Sequence, residues 1–261
     1  MTLHPKYRTD IDGLRAIAVL AVVAFHAFPT VLTGGFTGVD VFFVISGFLI
    51  STILFENLEQ GQFSFIDFYG RRIRRIFPAL ILVLAFCFAL GWFVLLPDEY
   101  KQLGKHMAGG AGFVQNFVLW NEADYFDNIA ETKPLLHLWS LGVEEQFYIV
   151  WPILLWLAYR LRANLLLLTL VIGLISFGLN IYGVKDNGTG TFYSPQTRFW
   201  ELLIGATLAY LTLHPPILAS IRTKLKLHSQ ISSSSWANMR SLLGAALFIT
   251  GLVLINKKSL F

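Results

Sequence analysis

The sequence predicts an all-α fold, a polytopic bundle of transmembrane helices, and three observations carry that expectation. Of its 261 residues, 55% are hydrophobic and only 14% charged, and the mean hydropathy is +0.61, well above the balance of a soluble domain. Several apolar runs approach the roughly 20 residues that a helix needs to cross about 30 Å of hydrocarbon. The intervals between those runs hold the Gly, Pro and Asn residues and the clusters of Arg and Lys that turn a chain and anchor it at an interface.

In order along the chain, apolar spans are expected at Leu14 to Leu32, Val39 to Phe55, Ile76 to Leu96, Leu138 to Tyr159, Leu165 to Tyr182, Phe199 to Leu213 and Leu242 to Ile255, the last two being short. Lys6, Arg8 and Arg15 ahead of the first span, with a second span close behind it, read as a retained signal anchor. Leu103 to Trp120 is ambiguous. Leu103, Met107, Ala111, Val114 and Val118 form a helical stripe, with Lys105, His106, Gln115 and Asn116 off it. Charge decides its placement. With the N-terminus cytoplasmic and this segment lying in the outer interface, the Arg71 to Arg75 cluster, Arg160 with Arg162, and the loop bearing Arg222, Lys224, Lys226 and Arg240 all fall inside. Lys257 and Lys258 are the exception. The expected architecture is about seven spans plus one interfacial amphipathic helix, in a single membrane domain over residues 1–261. Ser232 to Ser235 reads as a flexible connector. Cys87, the only cysteine, sits in an apolar run and reads as packing. The six histidines are scattered, so no metal site is expected.

Four constellations could carry chemistry. Arg15 and His26 lie eleven residues apart, which on a helix brings them within about 20° of one face and roughly 16 Å apart along the axis. With Arg15 at the membrane edge, His26 falls near mid-bilayer, where an imidazole that titrates near neutrality suits a general base. Arg71, Arg72, Arg74 and Arg75 are four arginines in five residues, which at the inner face could either anchor the chain beside anionic lipid or grip phosphate. His137, Trp139, Ser140, Glu144, Glu145 and Tyr148 lie within an otherwise apolar stretch, where each charge costs around 3 kcal/mol near the bilayer centre. Arg198 and Glu201, spaced (i, i+3), open a later span. An ion pair between or within helices accounts for these last two groups as readily as a substrate site. By loop charge, Glu144 and Arg198 belong towards the outer side and the arginine cluster towards the inner.

These segments, with Gly38-Val39-Asp40-Val41-Phe42-Phe43 between the first and second of them, together resemble the membrane-bound acyltransferase family 3, and within it the bacterial O-acetyltransferases of cell-surface polysaccharides such as O-antigen. The resemblance implies transfer of an acyl group, usually acetyl from acetyl-CoA at the cytoplasmic face, to a carbohydrate hydroxyl at the outer face of the bacterial inner membrane. Carried over residue by residue, it implies His26, Arg15 and Glu144 as catalytic, and Arg71, Arg72, Arg74 and Arg75 as binding the acyl-CoA. His137, Trp139, Ser140, Arg198 and Glu201 become the substrate or structural polar cluster. The implied partners are the lipid bilayer, acyl-CoA and a carbohydrate acceptor, isoprenoid-linked ones included, with no nucleic acid.

Family members resemble ten-helix domains, often followed by an extracytoplasmic SGNH-type domain, whereas this sequence stops after its seventh expected span. The expectation is therefore a domain incomplete at its C-terminus, whose activity alone is open. His26 either deprotonates the acceptor directly or takes the acyl group itself. The rival readings are a transporter or flippase using His26, Glu144 and Arg198 as a relay, and an inactive remnant. No symmetry between two halves, of the kind transporters often show, is visible.

Overall fold

The computed structural model describes residues 8–123, 133–217 and 233–255. Every regular element among them is helical: α1 (Thr9–Ala27), a 3-10 turn (Gly35–Thr37), α2 (Gly38–Glu59), α3 (Phe65–Val94), α4 (Pro97–Ala111), α5 (Gln115–Glu122), α6 (Leu138–Arg160), α7 (Leu165–Asp186), α8 (Gly188–Tyr193), α9 (Pro195–Leu213) and α10 (Ser233–Leu254). Four segments, 35–59, 65–94, 138–160 and 165–186, are long and apolar enough to cross a membrane, which makes this a multi-pass membrane protein. Helices α1, α9 and α10 fall outside that group; α1 carries Asp10, Asp12 and Arg15, α9 carries Arg198 and Glu201, and the apolar part of α10 is short. Arg222, Lys224, Lys226, Lys257 and Lys258 lie outside the described residues.

The chain divides into two compact units, residues 1–53 with 201–261, and residues 54–200. In the first, α2 and α9 cross with their backbones in contact. A Cβ on Gly47 would overlap the Leu202 carbonyl oxygen, and one on Gly205 would overlap that of Val44. Small residues let membrane helices approach this closely, and dispersion between the backbones then holds them. Phe43, Leu202, Leu203, Ala206 and Ala209 are buried around the crossing. The turn after α1 docks on the end of α10, where Gly34 N–H donates to Leu252 O (3.0 Å) and Thr33 Oγ1–H to Ile255 O (3.0 Å).

In the second unit, Leu80 and Leu84 of α3, Leu103 of α4 and Leu135 form a buried core, with Cys87 packed partly buried against it as the sequence implies. The outward faces of α3 and α7 are apolar and exposed, Phe93 and Leu174 among them, as lipid requires. Ser64 caps α3 by accepting from Asp67 N–H (3.3 Å), so this helix starts eleven residues before the expected span and carries all four arginines in its first turns.

Three local expectations change. The 103–120 stretch is two helices, and α4 at fifteen residues reaches only about 22 Å, too short to span. The stripe is kept only in part: Leu103 is buried and Met107 and Val118 half-buried, but Ala111 and Val114 are exposed while His106, Gln115 and Asn116, expected off the stripe, are buried. Polar groups on this protein gain by meeting one another inside rather than facing an apolar surround. Ser233 to Ser235 open α10 instead of forming a connector, hydroxyl residues being favoured at helix starts. The 184–197 interval, which lies between two expected spans, is mostly helical. Asn187 caps α8 by accepting from Gly190 N–H (2.7 Å).

Candidate active site

His26 sits in the last turn of α1 and is exposed. Its Nδ1 lies 2.8 Å from Val22 O one turn back. Only a protonated Nδ1 can donate there, so the neutral ring carries its lone pair on Nε2, the tautomer a base on this ring requires. Arg15, half-buried on the same helix, is 4.0 Å from Asp12. The structure thus keeps the pair on one continuous helix, as the spacing predicts.

The N-terminal half of α6 is the spine of the second unit's polar groups. It runs antiparallel to the start of α3 in a fixed register. Phe65 meets Trp156 edge-on at 5.8 Å, Tyr69 O–H donates to Ile149 O (3.0 Å), and Arg72 Nη2 donates to Glu145 Oε1 (2.7 Å). The Arg72 guanidinium also lies 3.9 Å over the Tyr148 ring, a cation–π contact. Tyr148 O–H in turn donates to Glu144 Oε1. Loop charge set the arginines and Glu144 on opposite sides; instead Arg72 and the adjacent acids share one level. A carboxylate inside an apolar span needs a cation within reach, and the long arginine side chain supplies it. Arg71, Arg74 and Arg75 are exposed, so the structure divides the cluster into one inward and three outward guanidiniums.

A second face of α6 meets the corner between α4 and α5. Gln146 Nε2 donates to Phe113 O (2.7 Å) and Asn116 Oδ1 (2.9 Å), and Asn116 Nδ2 donates to Tyr193 O (3.0 Å). Phe113 adopts φ of +56°, costly for a bulky side chain. It occupies the left-handed position of a helix C-cap, with Phe113 N–H bonded to Gly110 O (3.2 Å) and Val114 N–H to Gly109 O (2.8 Å). Its ring meets Phe77 of α3 edge-on at 5.8 Å, so the strained backbone is held from both sides.

The third face carries Trp139, buried, with Phe192 at 4.5 Å and the Arg198 guanidinium 5.7 Å from its ring centroid. Arg198 sits in the first turns of α9, which α7 supports from the side. The Ser176 hydroxyl donates to Gln196 O (2.6 Å) and accepts from Trp200 N–H (2.9 Å), bridging two groups that pair with each other in an uninterrupted helix. His137 is the exposed N-cap of α6, and Ser140 Oγ–H donates back to His137 O (3.1 Å). Glu201 lies in the other unit and is 2% exposed.

One polar cluster was missed from sequence. The Glu122 carboxylate accepts from Lys105 (2.7 Å), His106 (2.7 Å) and Lys133 (3.0 Å). Burial alone would push this carboxyl up, but hydrogen bonds from Lys105, His106 and Lys133 outweigh it and hold it at about 2. Lys133 leads directly into Leu135 of the core and His137 of α6, so the cluster ties α4, α5 and the entry to α6 together. The signal was four ionisable residues in an apolar chain, at separations with no helical period. Among the described residues no group of three or more His, Cys, Asp or Glu could hold a metal.

Apolar helices long enough to span a bilayer, with a histidine on one helix and acids and an arginine paired around another, define a multi-pass membrane protein that carries polar groups within its helices. A family of acyltransferase domains matches residues 8–256, and the chain belongs to that acyltransferase 3 family. It is 34% identical over 214 residues to O-acetyltransferase OatA of Staphylococcus aureus, covering 79% of this chain and 35% of that protein. It is 36% identical over 216 residues to the putative peptidoglycan O-acetyltransferase YrhL of Bacillus subtilis (80% and 34%). It is also 36% identical over 212 residues to the peptidoglycan O-acetyltransferase OatA of Listeria monocytogenes (78% and 34%). The chain thus spans about a third of the length of these relatives. No solved structure matches it.

Proposed function

We propose that this chain transfers acetyl from acetyl-CoA to a hydroxyl of a cell-surface carbohydrate. The carrying observation is His26, whose Nδ1 bond to Val22 O orients the ring with Nε2 as the basic nitrogen. In the direct route, Nε2 takes the proton of the acceptor hydroxyl as its oxygen attacks the thioester carbonyl. The C–S bond breaks, and the CoA thiolate recovers the proton. In the two-step route, Nε2 attacks the thioester carbonyl and the C–S bond breaks to release CoA thiolate; the acceptor oxygen then attacks the acyl-imidazole, the C–N bond breaks, and the hydroxyl proton returns to the ring nitrogen. The exposed Arg71, Arg74 and Arg75 suit the CoA phosphates, because guanidinium binds phosphate bidentately and keeps its charge.

The acceptor we favour is peptidoglycan over O-antigen, because the relatives from Bacillus and Listeria are named for peptidoglycan. Glu144, held by Tyr148, is the carboxylate we assign a part in the reaction, as we do His26 and Arg15, and we assign acceptor recognition to His137, Trp139, Ser140, Arg198 and Glu201. The topology we propose has about seven spans, the N-terminus cytoplasmic, and α4 and α5 at the outer surface of the cytoplasmic membrane.

Membranes carrying the chain, given labelled acetyl-CoA and a peptidoglycan acceptor, are expected to place label in a base-labile ester on the glycan. Label that stays in acetyl-CoA in such membranes overturns the proposal.

A further inference from the structure

The four arginines do not do one job. We infer that Arg72 is a positioning residue for the two acids of α6 rather than a ligand of the acyl donor, an inference that rests on the acetyl-transfer reading above. Three observations carry it. Arg72 Nη2 is committed to Glu145 Oε1 at 2.7 Å, with the two side chains 16% and 9% exposed. Its guanidinium face is stacked at 3.9 Å on Tyr148. Tyr148 passes that contact on, since its O–H donates to Glu144. Glu145 and Tyr148 are (i, i+3) on α6, so one guanidinium grips two points on one helix face and thereby fixes the third residue, Glu144.

A cation held this way, with Nη2 on a carboxylate, Nε buried, its face on a ring and only 16% of its side chain exposed, offers a phosphate little of the open bidentate edge that makes arginine a strong phosphate ligand. Its neighbours differ. Arg71, Arg74 and Arg75 are exposed on the same helix. Removing Arg72 takes from Glu145, 7% exposed, the cation it pairs with in an apolar span, and loosens the Tyr148 hydroxyl that holds Glu144. The loss therefore falls on the chemistry, not on the affinity for the donor.

The test is a split between binding and turnover, on the full chain in detergent and in membranes. Arg72→Gln is expected to leave the Kd for acetyl-CoA within about 3-fold of wild type while turnover falls at least about 100-fold, the scale of a displaced acid–base group. Arg74→Gln and Arg75→Gln are expected to raise that Kd about 10-fold or more, as loss of a charge-assisted bond implies. The charge swap Arg72→Glu with Glu145→Arg should recover part of the turnover lost in either single variant. An acetyl-CoA Kd raised by Arg72→Gln as far as by Arg74→Gln overturns the inference. If wild type itself binds no acetyl-CoA, the donor reading fails instead, and the inference is judged on the unfolding midpoint. That midpoint must fall in each single variant and recover in the swap; no recovery overturns it.

Discussion

Replacing Glu122 with Gln gives the sharpest stability test of the second unit. Glu122 accepts from Lys105, His106 and Lys133, whose side chains are 56%, 2% and 4% exposed. The Lys105 bond is a surface pair worth at most about 1 kcal/mol. The other two are enclosed, and a carboxylate held at about 2 against an ordinary 4.5 corresponds to at most about 3 kcal/mol of stabilisation at neutral pH. Because the folded value is the lower one, that contribution is fully present above about pH 4.5 and is lost as pH falls towards about 2. Gln removes the charge and leaves Lys133 and His106 enclosed around a neutral group. The unfolding midpoint of the purified protein at pH 7 should therefore drop, by as much as roughly 6 to 12 °C. The gap between wild type and Glu122→Gln should narrow as both are measured at successively lower pH below 4.5. A midpoint change under about 2 °C at pH 7, or a gap constant with pH, would refute the reasoning.

Two further outcomes follow from packing. Gly47→Val drives a side chain into the Leu202 backbone, which cannot move aside, so folded yield should fall sharply; Gly104→Ala, with open space around its Cβ, should hold or raise the midpoint slightly. Ser176→Ala leaves Gln196 O and Trp200 N–H without their bridge beside Arg198, a loss of about 1 to 3 kcal/mol read as a lower midpoint.

Periodicity reached most of the helices, because burial in lipid makes apolar runs long and unbroken, and it reached the shared helix of Arg15 and His26 because both obey one period. It failed where geometry depends on long-range partners. Nothing in the spacing of Arg72 and Glu145, 73 residues apart, says which of four arginines turns inward. The break between α4 and α5 rests on Phe113 taking a left-handed conformation that sequence assigns to Gly, here held by Gln146 and Phe77. The polar positions of α4 and α5 misled for a related reason: an apolar stripe marks the inside of a soluble helix, but here His106, Gln115 and Asn116 are buried alongside Leu103.

His26 carries the proposed chemistry, and one ratio tests its role: the rate of acetyl transfer from labelled acetyl-CoA to peptidoglycan in membranes holding equal amounts of wild type and His26→Ala. With Nε2 as the base or acyl carrier, the variant should be at least about 100-fold slower at unchanged membrane insertion. Equal rates in the two membranes would contradict the account.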